Sequence, residues 1–278
     1  MAEPIHIERA GHRTWLKWHR GRRRASDAAF TGARILEAMQ LGASVEVDLV
    51  IHADHGCAIL HDLTLERETT GSGRVRETGA AALRQLFLRG NDGAPLTEPV
   101  MLLEDLCTLL RGHPPHPEAL LQLDFKEDLA ALDPATIANF AASVGPLAAA
   151  MILSGGDSAA IALLAADTPG LRTGYDPCFG APLSRLQATG DYAAFTAGAL
   201  TTAPTAQLIY LHRDIVLAAD RDGYDMIGAI HAAGRRVDAW TIPDASAASL
   251  SQVDRLLALK VDQITTDDPE GLFAALAA

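Results

Sequence analysis

"SVEVDLVI", residues 44–51, alternates Val45, Val47 and Leu49 with Glu46 and Asp48. Successive side chains of a strand point to opposite faces, so the stretch predicts a strand with one apolar and one acidic face. "LLQLDFK" (120–126) repeats the pattern, setting Leu121, Leu123 and Phe125 against Gln122, Asp124 and Lys126. A solvated edge strand alternates too, but two strands with acidic inner faces fit a closed barrel better. There the apolar faces meet surrounding helices, the polar faces point to the axis, and charge is tolerated near the C-terminal strand ends, where barrel enzymes place their sites.

Working outward, six more short β-rich runs complete the set: "TWLKWH" (14–19), "AMILSG" (150–155), "LRTGYD" (171–176), "QLIYLH" (207–212), "RRVDAWTI" (235–242) and "VDQITTD" (261–267). Helical patterns such as "FTGARILEAMQLG" and "DSAAIALLAADTPG" separate most of them. Eight strands alternating with helices predict a (β/α)8 TIM barrel, in one domain over residues 1–278. An open doubly wound sheet competes with it. No glycine-rich nucleotide fingerprint follows the first strand, which counts against that alternative. Segment 62–98 is expected to be an insertion over the barrel mouth, with "GSGRV" (71–75) as a turn in an extra hairpin rather than a phosphate loop, since no lysine or helix start follows it.

The chain has 278 residues, 49% of them hydrophobic, and a formal net charge of −12. That charge argues against a nucleic-acid partner and makes any local cluster of positive charge conspicuous. Cys57, Cys107 and Cys178 form neither a zinc pattern nor a disulfide framework, and read as reduced, buried thiols. "MAEPIHIERAGHRTW" lacks a signal-peptide core, and no apolar run reaches the roughly 18 residues of a membrane span, so a cytoplasmic protein without stable membrane insertion is expected.

"WLKWHRGRRR" (15–24) ends the first strand on His19 and Arg20. Together with Glu46 and Asp48, His61 of "AILHD", and Asp124 and Lys126, these residues would meet at one barrel mouth. Carboxylate oxygens at Glu46, Asp48 and Asp124 suit a hard divalent cation, Mg²⁺ or Ca²⁺. The cation, Arg20 and Lys126 would neutralise a phosphate, and the two imidazoles would supply a base and an acid. Three carboxylates and one phosphodiester balance a divalent ion and two basic side chains. Trp240 reads either as a wall of the substrate pocket or as core. His212 reads as structural first, as do His52, His55, His113, His116 and His231. Arg22, Arg23 and Arg24 read as a solvated loop, with an influence on substrate choice if they face the mouth.

These residues resemble the glycerophosphodiester phosphodiesterases. The likeness lies in "HRG" (19–21), "EVDLVIHADHGCAILHD" (46–62), "LTLERETTGSGRV" (63–75), "LQLDFK", "DAWTI" and "ITTDDP". It implies a β/α barrel that hydrolyses glycerophosphodiesters to glycerol 3-phosphate and an alcohol with a divalent metal. It further implies His19 and His61 as the acid–base pair, Glu46, Asp48 and Asp124 as metal ligands, and Arg20 and Lys126 on the phosphate. Three features depart from the family: Asp124 stands where Glu is usual, "ASDAAFTG" replaces the usual Pro-Glu-Asn-Thr stretch, and three arginines follow "HRG". A phospholipase D-like relative acting on lysolipids or sphingolipids and a non-catalytic phosphate-ester binder are the alternatives. Finally, Lys17 and Asp238 stand where the family is apolar, two residues before His19 and Trp240. They predict an ion pair inside the barrel, joined by Gln122.

Overall fold

The computed structural model describes residues 3–276. Eight parallel strands form the barrel: β1 (His12–Trp18), β2 (Ser44–Ile51), β3 (Leu120–Phe125), β4 (Met151–Gly155), β5 (Arg172–Tyr175), β6 (Leu208–His212), β7 (Arg236–Ile242) and β8 (Gln263–Thr266). They pair in the order β1-β8-β7-β6-β5-β4-β3-β2, and the circle closes where Lys17 meets Ser44 and Trp18 meets Val45. This is the expected (β/α)8 TIM barrel, and each of the eight runs read from the sequence is one of its strands.

The alternation in the strands sorts the side chains as anticipated. Val45, Val47 and Leu49 are fully buried against Ile35, Ala38 and Met39 of helix Gly32–Leu41 and Leu106 of helix Leu103–Gly112. Local sequence starts the outer helices: Asp133 accepts from Thr136 N at 2.9 Å, with Pro134 at the first helical position, and Asp157 accepts from Ala159 N at 2.9 Å. Each carboxylate satisfies backbone donors that a helix start leaves open.

The axis side is polar in its middle layer. Lys17 Nζ lies 2.9 Å from Asp238 Oδ2, with side-chain exposures of 2% and 0%. Lys17 also donates to Gln122 Oε1, as anticipated, and lies 4.4 Å from the centre of the Tyr210 ring. Thr265 donates to the other Asp238 oxygen at 2.7 Å. Gly174 makes room for Tyr210: a Cβ there would meet the ring's Cε2 at 2.5 Å. Below this layer, Ile152 and Leu208 plug the interior with apolar side chains.

Four short strands lie outside the barrel. His6–Arg9 runs antiparallel to β1, Cys57–Ile59 antiparallel to β2, and Phe87–Arg89 pairs with Pro95–Pro99. "GSGRV" is not itself a turn: it forms the returning arm of a loop, in which Thr64 makes an isolated bridge to Arg74 and Leu65 N donates to Gly73 O at 3.0 Å. The three cysteines are free and buried, and burial pushes the Cys57 thiol up to about 12. No helix among the described residues is long and apolar enough to cross a membrane.

Candidate active site

At the end of β1 the backbone turns through two left-handed residues, Arg20 (φ 55°) and Gly21 (φ 72°). Gly21 has a double reason to be glycine, since a Cβ would also sit 2.9 Å from Ile35 Cγ1. For Arg20 this backbone conformation is costly. It aims the Arg20 N–H at Glu46 Oε2, 2.8 Å away, and lays its guanidinium beside Asp48, with Nε 3.2 Å from Oδ2.

Glu46, Asp48 and Asp124 come together. One oxygen from each lies within 4.8 Å of the others, at the mouth ends of the adjacent strands β2 and β3. Lys126 Nζ contacts Asp48 Oδ1 at 2.7 Å and Asp124 Oδ2 at 2.5 Å, while Ser154 donates to Asp124 Oδ1 at 2.7 Å. Burial pushes the Glu46 carboxyl well up, and the neighbouring Asp48 charge pushes it further. Burial works the same way on Asp48, but Lys126 and Arg20 outweigh it and hold Asp48 below the usual carboxylate range. Lys126 loses to burial and gains more from Asp124, Asp48 and Glu46, which leaves it firmly protonated. Arg20 and Lys126, expected on a phosphate, stand here as counter-charges to Asp48.

A divalent cation suits this donor set. All three groups offer the oxygen ligands that hard cations take. Both Asp48 oxygens are buried, and neither receives a hydrogen bond of good geometry despite the two basic neighbours. A second acidic group, His61, Asp62 and Glu68, lies close by, but Glu68 Oε2 is already taken by the N–H groups of His61 and Asp62, each at 2.9 Å.

Each histidine is backed by a carboxylate. His19 Nδ1 lies 2.7 Å from Asp267 Oδ1, and His61 Nδ1 lies 2.9 Å from Asp62 Oδ1. A carboxylate at Nδ1 favours the tautomer protonated there, leaving Nε2 as the nitrogen that can take a proton from a ligand. Burial lowers the pKa of His19 below 6.5, against the pull of Asp267, so the ring is neutral at pH 7.

These residues line a cavity of about 250 Å³, in which His19, Arg20, Glu46, His61, Asp124 and Lys126 face Phe179, Tyr210 and Trp240. Trp240 is thus a wall. It stacks on Phe179 with centroids 5.9 Å apart and takes the edge of His212 at 4.9 Å. His212 itself accepts from Asp214 N at 3.2 Å and caps the following helix, a structural role. Asp27, in the replaced stretch, accepts from the N–H groups of Arg23 and Arg24 at 3.1 Å and shapes the loop.

The arginine run corrects one expectation. Arg22 donates to Asp267 Oδ1 at 2.8 Å, and Arg23 pairs with Glu3, Glu37 and Glu270 while lying 5.6 Å from the centre of the Trp18 ring. Only Arg24 is exposed, at 56%. Acids from distant segments fold over the loop and neutralise it, which a local reading of three consecutive arginines does not foresee. The sequence reading also assigned no role to Asp267, Asp62, Ser154 or Phe179. The one available signal was the acid ending "ITTD", because barrel closure sets the last strand beside the first.

No protein-family model matches the sequence, and no curated protein does. Solved structures do. The Oleispira antarctica phosphodiesterase in complex with the product sn-glycerol-3-phosphate is 22% identical, with a TM-score of 0.67, over 95% of this chain and 96% of that one. A glycerophosphodiester phosphodiesterase from Agrobacterium tumefaciens is 22% identical, with a TM-score of 0.65, over 94% of this chain and 99% of that one. Another from Thermotoga maritima is 16% identical, with a TM-score of 0.61, over 95% and 99%. Likeness of this degree establishes a common fold.

Proposed function

We propose that the chain is a metal-dependent phosphodiesterase that hydrolyses glycerophosphodiesters to glycerol 3-phosphate and an alcohol. The observation that carries the reading is a single cavity in which two carboxylate-backed histidines stand with three clustered carboxylates and two basic side chains. The fold shared with phosphodiesterases, one of them bound to sn-glycerol-3-phosphate, and the motifs in their strand positions support it.

Glu46, Asp48 and Asp124 would hold the cation, Mg²⁺ or Ca²⁺, whose charge would act on the phosphoryl oxygens. Arg20 and Lys126 lie within the same cavity and add positive charge against a phosphodiester. His19, neutral at pH 7, takes the proton of the attacking water, or of a substrate hydroxyl whose attack would form a cyclic phosphate that water then opens to glycerol 3-phosphate. As the new P–O bond forms, the bond to the leaving alcohol breaks and His61 supplies that alcohol's proton. Trp240 and Phe179 offer a flat apolar wall to the carbon skeleton.

One observation favours a second reading. Leu63 and Phe179, each 51% exposed, border a groove that also reaches Asp124 and Lys126. The mouth therefore carries an apolar rim, which suits a diester with an acyl chain, such as a lysolipid. The test is a panel of glycerophosphocholine, glycerophosphoethanolamine and lysophosphatidylcholine assayed with Mg²⁺, Ca²⁺ and Mn²⁺. Steady turnover of the first two, abolished by a chelator and restored by the metal, is expected. Turnover of the lysolipid alone establishes the second reading. Binding with no turnover of any substrate makes the chain a phosphate-ester binder and defeats both.

A further inference from the structure

The opposite end of the barrel holds a second and larger cavity, about 390 Å³, at the N-terminal ends of the strands. Its floor is apolar, formed by Leu120, Ile152 and Leu208. Arg172 at the start of β5 and Arg236 at the start of β7 line it, with Leu208 between them on β6. No carboxylate among the described residues pairs with either guanidinium. Arg172 donates to the Ala149 carbonyl at 2.7 Å, and burial together with the Arg236 charge lowers its pKa. The two acids that share the cavity are engaged elsewhere. Asp262 Oδ2 lies 2.8 Å from both His231 Nε2 and Val237 N, and Glu118 pairs with Arg13 at 3.6 Å.

Arg172, half-buried, and Arg236, exposed, set two positive charges at one cavity with no carboxylate between them, an arrangement that an anion would join. That matters more in a chain of net charge −12, whose field otherwise repels anions. An independent observation gives the ligand a second end. Gln263 is 5% exposed and its amide donates to Ser44 Oγ at 2.6 Å, but its Oε1 is buried without a partner. A buried acceptor left open asks for a donor. An apolar floor, two guanidiniums and one open acceptor together describe a complementary shape. We propose that the N-terminal mouth of the barrel binds a small organic anion bearing a hydroxyl group, its carboxylate or phosphate between Arg172 and Arg236 and its hydroxyl donating to Gln263 Oε1. Barrel chemistry belongs to the other end, so the site is one of binding and not of turnover. Through Gln263 it reaches the middle layer, because Gln263 is the register partner of Asp238.

Trp15 lines this cavity, whereas Trp18 is fully buried and Trp240 belongs to the opposite mouth. A Trp240→Phe variant therefore keeps Trp15 as the reporter at the proposed site, with the buried Trp18 next to His19 as the second fluorophore, so dependence on Arg236 is what assigns a response to this cavity. It would be titrated with sn-glycerol 3-phosphate, with lactate, and with propyl phosphate as an anion lacking the hydroxyl. The expected result is a saturable fluorescence change with glycerol 3-phosphate or lactate, at least about tenfold weaker with propyl phosphate, the factor of one neutral hydrogen bond. Which of the two hydroxylated probes binds more tightly identifies the anionic group. Adding Arg236→Gln should abolish the response. Arg236 is exposed and makes no ion pair, so this change leaves the fold intact, and unchanged far-ultraviolet dichroism checks that. Gln263→Leu should remove the advantage of the hydroxylated probes over propyl phosphate. No saturable change up to 10 mM (a Kd limit of about −2.7 kcal/mol), or a response unaltered by Arg236→Gln, overturns the proposal.

Discussion

The barrel encloses two clusters of buried charge, one above the other, and they are built to opposite rules. In the lower one Lys17 and Asp238 cancel, and Gln122, Thr265 and the Tyr210 ring add contacts, although Asp238 Oδ2 has only its ion pair and the buried Tyr210 hydroxyl has no partner. In the upper one three carboxylates share two basic side chains, Glu46 is pushed towards its neutral form, and both Asp48 oxygens lack a well-formed hydrogen bond. The two are physically continuous: Gln122 donates to Ser154 at 2.9 Å, and Ser154 to Asp124 at 2.7 Å. A buried cluster whose opposite charges cancel in a direct pair has little left to offer a charged ligand. A cluster with more carboxylates than basic partners is held in a state that a cation completes. Substitutions above should therefore cost turnover, and substitutions below should cost stability.

The largest effect expected is on turnover. His19→Ala and His61→Ala should each lower kcat by about 10²–10⁴, the range for loss of a general acid or base, with little change in the unfolding midpoint. Near-normal turnover in either variant breaks the two-histidine mechanism. A large loss of stability instead would assign the upper cluster to the same structural rule as the lower one.

The lower cluster should behave in reverse. Asp238→Ala leaves Lys17 charged and buried without its partner and should destabilise by about 3–5 kcal/mol, read by denaturant unfolding. Replacing the pair together, Lys17→Met with Asp238→Leu, should cost much less. If the double variant is as unstable as the single one, the ion pair is not what holds the layer.

This pair also shows how far the sequence could be read. The strands were legible because a polar barrel interior makes the two-residue alternation visible, so Lys17, Gln122 and Asp238 announced their side of the sheet. The strands at His6–Arg9, Cys57–Ile59, Phe87–Arg89 and Pro95–Pro99 are three to five residues long and carry no such period, and they went unread. In the site, the residues that bring the chemistry were legible from their own strands. Asp267 was not, because it lies 248 residues from His19 and only closure of β8 onto β1 joins them. The neutralised arginine run was missed for the same reason, since its partners Glu3, Glu37 and Glu270 are far apart in sequence.

Asp267 makes the upper cluster testable by pH. His19 has a lowered pKa, so as a base it is already active at pH 7. Activity should fall only as pH drops through a value below 6.5. Asp267→Asn removes a group that raises the pKa of His19, so the acid limb should move further down, while loss of the oriented tautomer lowers kcat by about 10–100-fold. An acid limb that moves up in this variant means that another group titrates.

The smallest effect separates the three arginines that the sequence presents as one run. Arg22, 15% exposed, shares Asp267 Oδ1 with His19, so part of the carboxylate's charge is spent on it. Arg22→Gln returns that charge to His19, whose protonated form gains, so the acid limb should move up towards 6.5. Plateau kcat should change by no more than about twofold, the scale of a substitution worth about 0.5 kcal/mol. The contact is 2.8 Å long, well inside the Debye length of about 8 Å at 0.15 M salt, so the displacement should survive physiological ionic strength. Arg24→Gln is the control: Arg24 pairs with Glu270 at the surface and does not touch Asp267, so the limb should stay in place. Equal displacement in both variants would mean that the loop acts through its summed charge. No displacement in Arg22→Gln would mean that Asp267 orients His19 without setting its proton affinity.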